Sequence, residues 1–160
     1  MIDFIATSLD QGESVIMKPQ LPKPTGAFVG ASWTALLVGS LTFLSGLWNG
    51  AMPNYEKGFY FTVLMFGLYA SVSLQKAVRD RLEGIPVTGI YFGLSWIAVG
   101  MAILLLTGGL WNADLGSSEK GFFAMSFLLS LFAAVAVQKN IRDLALFKDE
   151  SQQPESEPEP

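Results

Sequence analysis

The sequence predicts an all-α membrane protein with four transmembrane helices, formed by two tandem helical hairpins in parallel repeat. Three observations predict this fold: four long stretches without charge, a repeat of these stretches along the chain, and a one-sided distribution of Lys and Arg. The composition agrees, because 51% of the 160 residues are hydrophobic and only 15% are charged. Soluble domains carry charge on about a quarter of their residues.

The charge-free stretches are residues 24–55, 58–75, 84–113 and 121–138, with lengths of 32, 18, 30 and 18 residues. A helix needs about 20 apolar residues to cross a bilayer. The two shorter stretches are flanked by lysines, whose long side chains can extend to the headgroups. A soluble four-helix bundle would show a charged face on every helix, so the pattern favours membrane spans.

The first half of the chain contains a leader and one repeat. Residues 1–25 are polar and interrupted by Pro19, Pro22 and Pro24, and we expect a flexible cytoplasmic N-terminal segment there. Residues 26–80 form the first two-helix membrane repeat, with spans near 26–48 and 58–76.

A short linker and the second repeat follow. In the cytoplasmic linker 81–88, Gly84 suits a helix C-terminal cap and Pro86 suits the first turn of the next helix. The second two-helix repeat covers 89–143, with spans near 87–111 and 121–139. The tail 144–160 ends in the acidic, proline-rich sequence KDESQQPESEPEP, a composition that predicts disorder.

The repeat is visible when the sequence is shifted by 63 residues without a gap. Residues 46–80 and 109–143 are then identical at 15 of 35 positions, where chance would give about 3. GLWN and EKGF each occur twice. Because each copy contains two spans, both copies enter the membrane from the same side, as parallel repeats related by an axis along the membrane normal.

The basic residues predict the orientation. One side of the membrane would hold eight of the ten, namely Lys18, Lys23, Lys76, Arg79, Arg81, Lys139, Arg142 and Lys148. The other side would hold only Lys57 and Lys120. The positive-inside rule therefore places both termini in the cytoplasm. Trp33 and Trp48 lie about 22 Å apart along a helix, as in the aromatic belts at the two interfaces; Trp96 and Trp111 repeat the spacing.

The two GLWN-to-EKGF turns would then lie outside. Asn49 and Asn112 are positioned to bond to the last free carbonyls of their helices. Glu56 and Glu119 fall in the first turn of the next helix, which favours a carboxylate, while Asn54 and Ser117 are candidate caps. The simple interpretation is a duplicated hairpin turn. The functional alternative is an outer-face polar patch at the pseudo-twofold axis, made of Asn49, Glu56, Lys57, Asn112, Glu119 and Lys120.

The motifs QKAVRD and QKNIRD end the second helix of each repeat. The helix dipole and the positive-inside rule alone could explain their basic residues, but not the matched amides and carboxylates. The sequence therefore suggests a cytoplasmic docking surface for anionic lipid headgroups or a protein. Its residues would be Gln75, Lys76, Arg79, Asp80, Gln138, Lys139, Arg142 and Asp143.

Small residues recur at helical spacing and predict close helix packing in lipid. They recur every four positions in one stripe of Ala27, Ala31, Ala35 and Gly39, and in a second of Ser126, Ser130 and Ala134. The pairs Gly26–Gly30 and Gly89–Gly93 have the same spacing. Packing within the chain is one interpretation, and a homo-oligomer face is the other.

These motifs carry a resemblance. The order of GLWN, EKGF, QKAVRDRLEGIP, and the second GLWN, EKGF and AVAVQKNIRD resembles the YiaA/YiaB family over about residues 26–143. Those are small bacterial inner membrane proteins built from the YiaAB two-helix domain, and the longer type carries two such domains. The resemblance implies an inner membrane protein and implies no catalytic or ligand residues.

The chemistry available to the chain is restricted. It has no Cys and no His, which excludes thiolate nucleophiles, Cys/His metal sites and histidine bases. No charged residue lies within a predicted span, which argues against proton-coupled transport, and no basic face suits a nucleic acid. We therefore expect no enzyme activity and no cofactor. The preferred function is a structural or regulatory membrane protein that binds lipids or other proteins. The alternatives are a small channel or transporter lined by uncharged polar residues, and an enzyme subunit or assembly factor.

Overall fold

The computed structural model describes residues 24–152, which form four helices and no strand. Helix α1 spans Gly26–Asn49, α2 Asn54–Leu82, α3 Gly89–Asn112 and α4 Ser117–Gln152. Each helix is long and apolar enough to cross a membrane. The predicted fold class is therefore confirmed.

The starts of α1 and α3 repeat the same cap. Thr25 Oγ1 accepts a hydrogen bond from the Phe28 N–H at 3.3 Å, and Thr88 Oγ1 accepts one from the Tyr91 N–H at 3.4 Å. A threonine hydroxyl at this position satisfies one of the free N–H groups of the first turn. The two caps are 63 residues apart, so the repeat extends to the helix boundaries.

The end of α2 matches the predicted glycine cap. Gly84 has a φ of +75°, the left-handed conformation that glycine adopts without strain. Its N–H donates to the Arg81 carbonyl at 3.3 Å, and the Ile85 N–H donates to the Asp80 carbonyl at 2.8 Å. These two bonds form a Schellman motif, which ends the helix and directs the chain into α3.

The second helix of each repeat is longer than the predicted span. Helix α2 begins at Asn54 rather than near residue 58, and α4 continues to Gln152. The prediction of a disordered tail from residue 144 was wrong up to residue 152. Residues 144–152 contain neither Gly nor Pro, so nothing breaks the helix there. Residues 153–160, and residues 1–23 of the N-terminal segment, lie outside the described part of the chain.

The two hairpins interlock. Helix α1 packs along α4, α2 packs along α3, and α2 and α4 pack against each other at the centre. The helices of one hairpin barely touch, and α1 and α3 do not meet within residues 24–152. The order across the bundle is therefore α1, α4, α2, α3. Each hairpin packs mainly against the other one.

The buried faces show that the repeat is structural. Helix α1 buries Ser32, Gly39, Phe43 and Leu47, and α3 buries Ser95, Ala102, Leu106 and Leu110, each 63 residues later. The seven buried residues of α2 likewise have buried equivalents on α4: Phe123, Ser126, Phe127, Ser130, Ala133, Ala134 and Asn140. A pseudo-twofold axis therefore relates the hairpins.

Large side chains fill the centre of the bundle. Tyr60 and Phe123 are equivalent residues, and their rings stack with centroids 5.9 Å apart and planes 12° apart. Phe43 meets the Phe123 ring edge-on at 5.3 Å. Phe43, Tyr60, Leu64 and Phe127 are almost completely buried. Aromatic pairs in these geometries stabilise a core beyond the area they bury.

Glycines allow the first helix of each repeat to lie close to its neighbour. A Cβ on Gly39 would lie 2.9 Å from the Ser130 backbone N. A Cβ on Gly46 or Gly109 would lie 2.7 or 2.6 Å from an aromatic carbon, of Phe122 or Phe59 respectively. In α1 the close positions are Ser32, Gly39 and Gly46, spaced by seven residues. This spacing keeps a face turned toward one antiparallel neighbour.

The four-residue stripe on α1 does not pack within the chain along its length, so that interpretation was wrong, while a homo-oligomer face stays a prediction. Ala27 and Ala31 are exposed, and a Cβ on Gly26, Gly30, Gly89 or Gly93 would meet nothing within 4 Å. Each step of four residues turns by about 40° around a helix, so this stripe winds away from α4. The other predicted stripe, Ser126, Ser130 and Ala134, is buried as expected.

Candidate functional site

The charged residues of the described bundle lie toward its two ends. We call the end formed by residues 75–83 and 138–143 the basic end, and the end formed by residues 46–59 and 109–122 the turn end. At the basic end, the last turns of α2 lie beside the part of α4 that is equivalent to them in the repeat. The turn end contains both GLWN-to-EKGF connections.

Reciprocal ion pairs cross the pseudo-twofold axis at the basic end. Arg79 Nη2 lies 3.1 Å from Asp143 Oδ1, and Arg142 Nη1 lies 3.1 Å from Asp80 Oδ1. Glu83 joins both arginines, with its Oε1 2.7 Å from Arg79 Nε and its Oε2 in contact with Arg142 Nη2. We call these five residues the ion-pair clamp.

The clamp gives the repeated Arg-Asp of each motif an intramolecular role. Each arginine is held by one aspartate of the other helix and by Glu83, which follows α2. The arginine side chains are only 15% and 29% exposed. Ordered pairs of this kind add specificity as well as energy. Glu83 was not singled out in the sequence, although its position four residues after Arg79 is that of a helical ion pair.

The other four residues of the expected docking surface remain available. Gln75 and Gln138 are half-buried, whereas Lys76 and Lys139 are exposed. Neither lysine forms an ion pair within the described range. The basic end therefore presents two unpaired ammonium groups beside a clamp that is closed on itself.

A groove opens beside the clamp, which we call the α3–α4 groove. Its floor is α2 over residues 71–83, one wall is α3 at Val99 and Ile103, and the other wall is α4 over residues 128–143. Its volume is about 970 Å³. The groove exists because α3 packs on α2 and hardly contacts α4.

Two lysines close the hairpins at the turn end. Lys57 Nζ donates to the Trp48 carbonyl at 3.2 Å, and Lys120 Nζ donates to the Trp111 carbonyl at 3.5 Å. A lysine of EKGF therefore caps the helix that ends in GLWN, in both repeats. The two tryptophan side chains are 86% and 82% exposed, as expected of rings that lie at a membrane interface.

The asparagines of GLWN bond to carbonyls of their own helices, although not to the free ones that were predicted. Asn49 Nδ2 donates to the Ser45 carbonyl at 2.8 Å, and Asn112 Nδ2 donates to the Gly108 carbonyl at 2.7 Å. Each acceptor lies four residues before the asparagine and also accepts its helical backbone N–H, so the side-chain bond reinforces the end of the helix.

The caps of the following helices differ from the prediction. Asn54 is the first residue of α2, and the residue before it, Pro53, makes no side-chain cap. Ser117 is likewise the first residue of α4, where Glu119 Oε2 accepts from the Gly116 N–H at 2.8 Å. Asn54 and Ser117 were thus wrong as caps, because each helix starts one residue earlier than a cap at these positions requires. Glu56 lies in the first turn of α2, as expected.

The structure brings together only part of the expected outer patch. Asn49 and Glu119 line one cavity of about 290 Å³ beside Phe122. Lys120 lines a different cavity, with Thr107 on α3. The patch as a ligand site therefore stays a prediction, while the bonds above give several of its residues a role in closing the turns.

Four of the five buried serine hydroxyls bond to their own helices. Ser32, Ser95, Ser126 and Ser130 each donate to the carbonyl four residues earlier, at 2.7–2.9 Å. Asn140 adds one bond between helices, from its Nδ2 to Ser32 Oγ at 3.0 Å. Its equivalent on α2 is Ala77, so this bond distinguishes the α1–α4 contact from the α2–α3 contact.

With this geometry in hand, the comparisons with known proteins are specific. The family model of the yiaA/B two helix domain matches residues 28–80 and, a second time, residues 91–143. The chain belongs to this family. The protein named "Inner membrane protein YiaA" of Escherichia coli (strain K12) is 53% identical over 120 residues, which cover 75% of this chain and 83% of that protein. No solved structure matches the chain.

The family assignment agrees with the four apolar helices. The chain is an integral inner membrane protein of the YiaA family. Both matched ranges end at an aspartate of the clamp, Asp80 and Asp143. The family domain therefore includes the GLWN-to-EKGF turn and the arginine and aspartate of each motif. It stops before Glu83.

Proposed function

We propose that the protein is a non-catalytic structural or regulatory protein of the inner membrane, which binds lipids or other proteins at its basic end. One observation carries the proposal. The ion-pair clamp uses Arg79 and Arg142 within the fold, while Lys76 and Lys139 remain exposed and without an ion pair in the described part of the chain. Two unpaired cations on adjacent helices can bind a partner without opening the bundle.

We also propose that the basic end faces the cytoplasm. By their order in the sequence, eight of the ten Lys and Arg residues fall on the side of the bundle that contains the basic end. The positive-inside rule relates such a bias to orientation in the membrane. Both termini would then be cytoplasmic, and both GLWN-to-EKGF turns would lie on the outside.

The bundle interior favours a binding protein over a channel or transporter. A water path needs polar groups that face a lumen. Here the centre is occupied by Phe43, Tyr60, Leu64 and Phe127. Four of the five buried serine hydroxyls already donate to their own helices.

The experiment places a photo-crosslinking residue at Gln75 or Gln138 in intact membranes, with Asn112 at the turn end as the control position. We expect an adduct of defined mass at the two basic-end positions, weakened by Lys76→Gln combined with Lys139→Gln. Equal adducts at all three positions, or no effect of the lysine changes, would contradict the proposal. In proteoliposomes, solute release above the protein-free level would instead support the channel.

A further inference from the structure

The α3–α4 groove has the length of one membrane leaflet. Along α4 it extends from Leu128 to Asp143, which is about 22 Å at the rise of an α-helix. Half of a bilayer core is about 15 Å, and the headgroup region adds about 6 Å on each side. The groove therefore reaches from the middle of the membrane to the headgroup region of the leaflet at the basic end.

The polarity of the groove changes along this length. Near the middle of the membrane it is lined by apolar side chains, including Val99, Ile103, Leu128 and Phe132. Near the basic end it is lined by Gln75 and by charged groups. A ligand that fits this gradient is itself amphipathic, with its hydrocarbon chain toward the centre and its polar head at the clamp. A membrane phospholipid has this form and already lies in this orientation.

The charges at the polar end select the headgroup. Two lining residues are cationic, Arg79 and Lys139, and two are anionic, Glu83 and Asp143, so their formal charges cancel. Arg79 is already held by both carboxylates. Lys139 forms no ion pair in the described part and lies one turn before Asp143 on α4. The groove thus offers a free ammonium group close to carboxylates.

We propose that the α3–α4 groove binds one phospholipid with a zwitterionic headgroup that carries a primary ammonium, of the phosphatidylethanolamine type. Its phosphate contacts Lys139 Nζ, and its ammonium donates hydrogen bonds toward Asp143 and Glu83. Both carboxylates keep acceptor positions beyond the bonds that they take from Arg79 and Arg142. Phosphatidylglycerol brings no cation of its own to these positions, and a quaternary phosphatidylcholine cannot donate a hydrogen bond to them. This inference rests on the proposed function, because it names the lipid partner at the basic end.

The test uses delipidated full-length protein in detergent, mixed with equal amounts of phosphatidylethanolamine, phosphatidylglycerol and phosphatidylcholine that have identical acyl chains. Native mass spectrometry then counts the bound lipids. We expect one retained phosphatidylethanolamine in preference to the other two. Equal retention of all three would mean that the groove holds only bulk lipid, and preference for phosphatidylglycerol would overturn the headgroup assignment.

The repeat supplies matched control variants. Lys139→Gln should lower phosphatidylethanolamine retention about tenfold, the loss of one hydrogen bond between charged groups. Lys76→Gln changes the equivalent lysine of the first repeat, which does not line this groove, and should lower the retention less than Lys139→Gln does. Val99→Trp should block the apolar part of the groove and lower phosphatidylethanolamine retention. Leu36→Trp changes the equivalent position on α1, outside the groove, and should lower the retention less. Equal effects within either pair would overturn the site.

The result separates the inference from the proposed function. Lys139 is exposed, so Lys139→Gln should fold even if Val99→Trp does not. In that case the Lys139→Gln variant alone tests whether the groove binds the lipid. If headgroup selectivity is absent but the crosslinks at Gln75 and Gln138 persist, the lipid assignment fails and docking at the basic end stands. If the crosslinks are also absent, both fail.

Discussion

Replacing Gly39 by Ala tests the close contact between α1 and α4. The new Cβ would lie 2.7 Å from Ser130 Oγ, 2.9 Å from the Ser130 backbone N and 3.2 Å from the Ser126 carbonyl O. Two of these atoms belong to the backbone of α4, so a change of rotamer cannot relieve the overlap. The helices would have to separate by roughly half an ångström or more to reach ordinary contact.

The magnitude follows from two opposed effects. Alanine is a better helix former than glycine by about 0.8–1 kcal/mol. Overpacking a close contact costs about 1–3 kcal/mol, and a contact between backbones belongs at the upper end of that range. We therefore expect Gly39→Ala to lower the free energy of unfolding by about 1–2 kcal/mol.

Gly30→Ala is the matched control, because Gly30 lies on the same helix and its Cβ would meet nothing within 4 Å. We expect it to be neutral or slightly stabilising. Both variants can be measured by reversible unfolding in mixed micelles as detergent denaturant is added. If Gly39→Ala is as stable as Gly30→Ala, α1 and α4 do not approach as closely as the structure describes, and the interlocked arrangement is wrong.

Two further predictions concern the basic end and the orientation. Arg79→Asp should lower the free energy of unfolding by about 1–2 kcal/mol, since it breaks two partly exposed ion pairs. The double variant Arg79→Asp with Asp143→Arg should recover part of this loss, and Lys76→Ala, the control, should change the stability little. A swap that is no better than the single variant would argue against direct pairing. Single cysteines at Asn54 and Ser117 should both react with a thiol reagent that cannot cross the inner membrane, in cells whose outer membrane has been permeabilised. A cysteine at Glu83 should not react, and labelling of only one of the two turns would refute the parallel repeat.

The sequence predicted the helices because the signals for them are local. The length of a charge-free stretch identifies a membrane span, whichever helices that span packs against. Gly84 and Pro86 mark the boundary between two helices through backbone geometry alone. The repeat was equally visible, since identical motifs recur at a fixed shift. Its buried faces then follow the same shift in the structure, residue by residue.

The pairing of the helices could not be predicted in the same way. A lipid-facing helix surface and a buried one are equally apolar, so hydropathy does not show whether α1 packs on α2 or on α4. The seven-residue spacing of Ser32, Gly39 and Gly46 was the available signal, but the four-residue stripe through Ala31 obscured it. The two Arg–Asp pairs of the clamp were missed for a related reason, because they join residues 64 and 62 positions apart in sequence.

The interlocked hairpins have a consequence for how the protein is made. Ser40 lies within hydrogen-bonding distance of Ser130, 90 residues later, and Ser32 bonds to Asn140, 108 residues later. At a synthesis rate of about 5–20 residues per second, α1 is made roughly 5–20 s before the part of α4 against which it packs. During that time the small-residue face of α1 is exposed to lipid or to the insertion machinery. One repeat is therefore half of an interface, and an isolated two-helix domain with this packing would have to find its second half on another chain.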